Sequence, residues 1–157
     1  MTRSDARTDA IARRAARVIL LDATGRVLLL HGFDPARPEH GYWFTAGGGL
    51  DPGESPAEGA ARELYEETGL AVAPADLGEP VHHEVIEFPF DGRWYRQEQE
   101  FFVTRVDAWE AVAVVRTADE ERSIDGYRWW NAADLRASGD RYYPDDLPDL
   151  VERLTTC

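Results

Sequence analysis

The chain has 157 residues, 43% of them hydrophobic, and a formal net charge of -13 with a pI near 4.6. That length suits one domain with a real core, and the acidic balance argues against a nonspecific polyanion binder, because no basic field exists to attract nucleic acid. The single cysteine, Cys157, rules out an intramolecular disulfide and suits a reducing compartment, and no apolar run approaches the ~18 residues of a membrane span.

Residues 1–16 carry Arg3, Arg7, Arg13 and Arg14 among Ala, Thr and Asp and lack the apolar stretch of a secretory signal. Residues 1–15 are therefore expected to form a flexible N-terminal segment. Arg17 to Leu21 is β-compatible, Asp22-Ala23-Thr24-Gly25 is a turn, and Val27 to Leu30 suits a strand buried on both faces. Together they predict a hairpin. Phe33 to Gly41, with two prolines, reads as a loop. Tyr42 to Thr45 reads as a short strand delivering the chain to Gly47-Gly48-Gly49.

The next element is a helix with local signals at both ends. Ser55 can cap it, Pro56 suits the first helical position, Glu58 completes a capping box, and Gly69 fits the stop. Ala57, Ala60, Ala61, Leu64 and Thr68 form an apolar stripe beside Glu63, Glu66 and Glu67. Val81 to Phe90 and Tyr95 to Val106 predict a hairpin around Asp91-Gly92. Trp109 to Val115 reads as a strand or a packed loop, and Thr117 to Glu120 repeats a capping-box pattern. Tyr127 to Trp130 is a strand. Ala132 to Ser138 and Leu147 to Leu154 are helical, joined by a polar loop containing proline. Mixed strands with one early and one late helix predict a sheet sandwiched between helices.

The three glutamates of the first helix fall within an arc of about 100°. Like charges at these spacings repel by roughly 0.2–0.5 kcal/mol per pair. A helix that only needed solvation would interleave bases, yet Arg62 is the only base between Glu54 and Glu67. Hard cations such as Mg2+ take carboxylate oxygens and complete their shell with water and substrate phosphates. The cluster reads as a metal site for a phosphorylated substrate.

Gly48-Gly49-Leu50-Asp51-Pro52-Gly53-Glu54, seven further residues, and Arg62-Glu63-Leu64-Tyr65-Glu66-Glu67-Thr68-Gly69-Leu70 resemble the signature of the Nudix hydrolases, the MutT-type pyrophosphohydrolases. Every fixed position of that signature is filled. The resemblance implies an α/β/α sandwich around a mixed sheet, spanning about residues 15 to 157, in one domain. It implies Mg2+, with Mn2+ as a substitute, held by Glu63, Glu66 and Glu67 and joined by the carbonyl of Gly48. Arg62 would orient a glutamate, and Glu54 would support.

The implied activity is cleavage of a pyrophosphate bond in a small nucleotide-type substrate: an NTP or dNTP, ADP-ribose, a dinucleoside polyphosphate or a nucleotide sugar. The protein is expected in the cytoplasm, with no membrane attachment; homodimerisation stays open. A carboxylate takes the proton of the attacking water. In such enzymes it is a box glutamate, Glu66 or Glu67, or one from a later loop, where Glu120 is favoured over Glu121. Glu98 and Glu100 are the runners-up. Trp43 is a candidate for stacking a nucleobase, although aromatics ahead of a core helix more often pack.

Three other functions fit the same fold less well. Isoprenoid diphosphate isomerisation wants a working cysteine, and Cys157 is terminal. A catalytically silent sensor is expected to carry a degraded box. RNA 5′-end hydrolysis remains an alternative, against which the acidic balance counts.

Overall fold

The strands of this protein are built where apolar and β-branched residues run together, and their burial shows why. The computed structural model describes residues 10–114 and 124–155. Its strands are β1 (Ile11–Leu21), β2 (Val27–Asp34), β3 (Arg37–Gly49), β4 (His82–Phe90), β5 (Arg93–Arg105), β6 (Ile124–Trp130) and β7 (Tyr142–Tyr143). Its helices are α1 (Pro56–Thr68), α2 (Ala132–Ala137) and α3 (Leu147–Thr155), with a 3-10 turn at Pro74–Leu77.

All strands join one mixed sheet of order β4-β5-β1-β2-β3-β7, with β6 paired to β2 and β1 also paired to β3. β1 is central. It runs parallel to β5 from Ile11↔Tyr95 to Leu21↔Arg105 and antiparallel to β3 from Ala15↔Gly49 to Val18↔Ala46.

Successive side chains of a strand leave on opposite faces. Val18, Leu20, Leu28, Leu30 and Phe102 thus meet Ala60, Ala61 and Leu64 of α1 in one core cluster. Ile19, Leu21, Val27, Leu29 and Phe101 meet Leu135 of α2 and Leu147, Leu150 and Val151 of α3 in the other. Helices on both faces explain why these strands read as continuous apolar runs rather than alternations. The architecture is the α/β/α sandwich anticipated from the sequence.

Several elements differ from the reading above. β1 begins at Ile11, so residues 11–15 are strand; parallel pairing with Tyr95 to Gln99 supplies their backbone partners. Residues 1–9 lie outside the described set. The Phe33–Gly41 segment is the tip of a β2–β3 hairpin, with Gly32↔Tyr42 and Asp34↔Arg37 in register. The Asp34 carboxylate makes this turn by accepting the Ala36 N–H at 2.9 Å. Residues from Trp109 form a packed loop: the amides of Val112 and Val114 bond the carbonyls of Thr68 and Glu66. The predicted hairpin between β1 and β2 forms at its turn, Leu21↔Val27.

Candidate active site

Local chemistry fixes α1. Ser55 sits at the cap in an extended conformation and its Oγ accepts the Glu58 N–H at 3.2 Å. Glu58 Oε1 accepts the Ser55 N–H in return at 2.9 Å. Gly69, at φ 79, ends the helix with its N–H on the Tyr65 carbonyl. The loop between β3 and α1 is closed by Glu54 Oε1, which accepts the Asp51 N–H at 2.8 Å.

Against this frame the carboxylates converge on the end of β3. Glu63 and Glu67 are buried, 8% and 4% exposed, while Glu66 is partly exposed. Glu67 Oε1 accepts the Gly47 N–H at 2.8 Å. A Cβ at Gly48 would stand 2.8 Å from Glu63 Oε1, so a side chain here would displace that carboxylate from its place against the backbone. An all-oxygen set of two buried carboxylates, a third beside them and an adjacent backbone segment is what a hard divalent cation takes. The residues present fit that role.

Arg62 binds the cluster together. Its Nε and Nη2 donate to the two oxygens of Glu54 at 2.7 and 2.9 Å. Its Nη1 donates to Glu63 Oε1 at 3.1 Å and to Glu66 Oε1 at 3.3 Å, and Nη2 also reaches the Gly49 carbonyl. The Glu54 hydrogen bonds push the Arg62 pKa up, and the same bonds hold the Glu54 carboxyl below the usual carboxylate range. Helical spacing alone anticipates the Glu66 contact. The shorter, two-pronged contact with Glu54 spans a loop and has no spacing signal.

Other candidates lie farther off. Trp43 faces the second core cluster, its ring against His31 and Trp130 at 4.6 and 5.3 Å. That is the sheet face opposite α1, because α1 packs on the alternate residues. Glu98 is exposed and lies 3.0 Å from His83 Nε2. Glu100 is in line with Ala16 and Gly48 across β5, β1 and β3, on the α1 face. Glu120 and Glu121 fall outside the described residues.

Sequence reasoning passed over two features. Arg13 and Arg14 line a cleft of about 610 Å3 with the Gly49–Ser55 loop. Arg17 is enclosed beneath Gly47, donating to Gln99 Oε1 at 3.1 Å and to the Thr45 carbonyl at 3.0 Å. Burial lowers its pKa while the Glu67 carboxylate raises it. An arginine set directly before the apolar run Val18 to Leu21 is the signal that could have marked it.

The comparisons agree with this geometry. Residues 12–149 match the NUDIX domain family. An RNA pyrophosphohydrolase of Erythrobacter litoralis (strain HTCC2594) is 30% identical over 147 residues, 88% of this chain and 80% of that protein. Among solved structures, a MutT protein from Methanosarcina mazei Go1 superposes with a TM-score of 0.61 at 23% identity, covering 92% of this chain and 94% of that one. The E. coli dihydroneopterin triphosphate pyrophosphohydrolase gives 0.62 at 18% identity, with 91% and 96% covered. With its box filled, its carboxylates converging and its fold shared, the chain belongs to the Nudix family of pyrophosphohydrolases.

Proposed function

We propose that this protein hydrolyses a phosphoanhydride bond of a nucleotide-linked substrate, with Mg2+ held by Glu63, Glu66, Glu67 and the Gly48 carbonyl. The convergence of Glu63 and Glu67 on the Gly47–Gly48 backbone carries this reading. A bound divalent cation neutralises charge on the phosphates and lowers the pKa of water for attack on phosphorus. The chain supplies the rest. Arg62 holds the Glu63 and Glu66 carboxylates side by side through its shared Nη1. Glu66, the most accessible of the three, is suited to take a proton from the attacking water; Glu120 is the second candidate. Arg13 and Arg14 offer guanidinium donors for substrate phosphates in a cleft that Asp51 and Glu54 also line.

A second reading, hydrolysis at RNA 5′ ends, is supported by the name of the Erythrobacter relative. Hydrolysis should be measured, with a coupled phosphatase or pyrophosphatase that frees phosphate from the products, on a panel of (d)NTPs, oxidised dGTP, ADP-ribose, dinucleoside polyphosphates, nucleotide sugars and triphosphorylated RNA. Mg2+-dependent release, abolished by chelator, is expected from one class. Glu67→Gln should lower turnover by about 100-fold or more while the fold stays intact. Unimpaired hydrolysis by a folded Glu67→Gln protein would sink the assignment.

A further inference from the structure

On the sheet face away from α1 lies a second group of potential ligands. His82 and Glu84 stand two residues apart on edge strand β4, in register with Phe101 and Gln99. Their side chains therefore share the face of the second core cluster. Asp146, exposed, immediately precedes α3, and its carbonyl accepts the Leu150 N–H. One ligand atom from each of the three residues lies within 4.8 Å of the others.

The two strand ligands are already oriented. His82 Nε2 is 3.3 Å from Glu84 Oε1, and the imidazole rests on Phe101 with centroids 5.3 Å apart. Glu84 Oε2 accepts from Gln99 Nε2 at 2.6 Å. The Gln99 amide is 3% exposed, and its oxygen takes bonds from Arg17 Nε and Gln97 Nε2. It cannot turn over without breaking both. Such outer partners typically fix a ligating carboxylate. The helix is tied to the same strand, since Arg153 Nη2 donates to the Val81 carbonyl at 3.0 Å. Among the described residues, neither Glu84 nor Asp146 has an arginine within ion-pair distance.

We propose that His82, Glu84 and Asp146 form a second metal site, separate from the box glutamates, that takes a borderline divalent cation such as Zn2+. Two carboxylates and a neutral imidazole match a divalent charge. The nitrogen donor selects against Mg2+, which demands oxygen, and favours ions that accept imidazole. Tetrahedral ligand atoms around Zn2+ lie about 3.3 Å apart, so the exposed Asp146 side chain closes the remaining gap, with water in the fourth position. The bound ion would clamp the sheet edge to α3.

Equilibrium dialysis with Zn2+ on a Glu63→Gln/Glu67→Gln background tests this with the box disabled. One Zn2+ should be retained per chain. Adding His82→Ala or Asp146→Asn should weaken retention by about tenfold or more. Circular dichroism checks that each variant is folded. Should the background variant not fold, Co2+ added to wild type under excess Mg2+ should show tetrahedral d–d bands that His82→Ala removes. His82→Ala alone should leave Mg2+-dependent hydrolysis within about twofold, so failure here is distinct from failure of the hydrolase reading. No retained Zn2+ in a folded background variant, or retention indifferent to both substitutions, overturns the proposal.

Discussion

Arg62 sits among Glu54, Glu63, Glu66 and, at 3.4 Å, Asp51, and so supplies the one basic counter-charge that α1 sets among its acids. A charge-assisted, two-pronged contact of this sort contributes about 1–3 kcal/mol when largely shielded from water. Because the folded-state pKa of Glu54 is lowered by Arg62, its contribution is full above the unfolded value, about 4.3, and fades as pH falls through the lower folded value. In chelator, the thermal midpoint of the wild type should therefore drop on acidification below about pH 5. Glu54→Gln should start lower at neutral pH and fall less steeply. Parallel curves from calorimetry at several pH values would remove Glu54 from this account.

At the scale of elements, α1 and β3 carry unequal penalties. Ser55→Ala removes one capping bond and should cost about 1 kcal/mol in urea unfolding. Gly47→Ala should cost at least about 3 kcal/mol. Gly47 has φ +144, and a Cβ there would collide with the Ala16 carbonyl, prising β3 from β1. If Gly47→Ala proves the milder of the two, the close approach of these strands is not what glycine serves. The same contrast explains what the sequence could disclose. The helix was legible because Ser55, Pro56, Glu58 and Gly69 act on their own neighbours. The β2–β3 tip was not, because Pro35 and Pro38 read as loop while the stabilising bonds converge on one side chain. The Asp34 carboxylate takes the Ala36 N–H and, 57 residues on, the Asp91 N–H at 2.8 Å.

For the molecule as a whole, the box was readable as a motif, whereas the parallel union of β1 with β5 was not, since it joins residues more than eighty positions apart. Nor does any periodicity disclose that β1 meets β3 over Ala15 to Val18 and β2 at the turn. Among the described residues, no helix is long and apolar enough to cross a membrane. The net charge of -13 repels itself in the compact state. Raising monovalent salt about tenfold in chelator should therefore raise the thermal midpoint, and Mg2+ should raise it further than an equal ionic strength of sodium salt. The extra Mg2+ increment should vanish in Glu63→Gln/Glu67→Gln. An increment that survives both substitutions would mean that the stabilising ion binds elsewhere.

The meeting of Glu67 with Gly47 and of Glu63 with Gly48 has a geometric corollary. A strand repeats every two residues and a helix every 3.6, so the two lattices coincide only at one phase. The connector of residues 50–55 sets that phase, as the teeth of two gears are set by the distance between their shafts. Deleting one connector residue would strain this loop or draw Pro56 out of α1, and either change would shift both carboxylates relative to the glycines. Its length is therefore the constrained quantity, more than the chemistry of its exposed members such as Pro52.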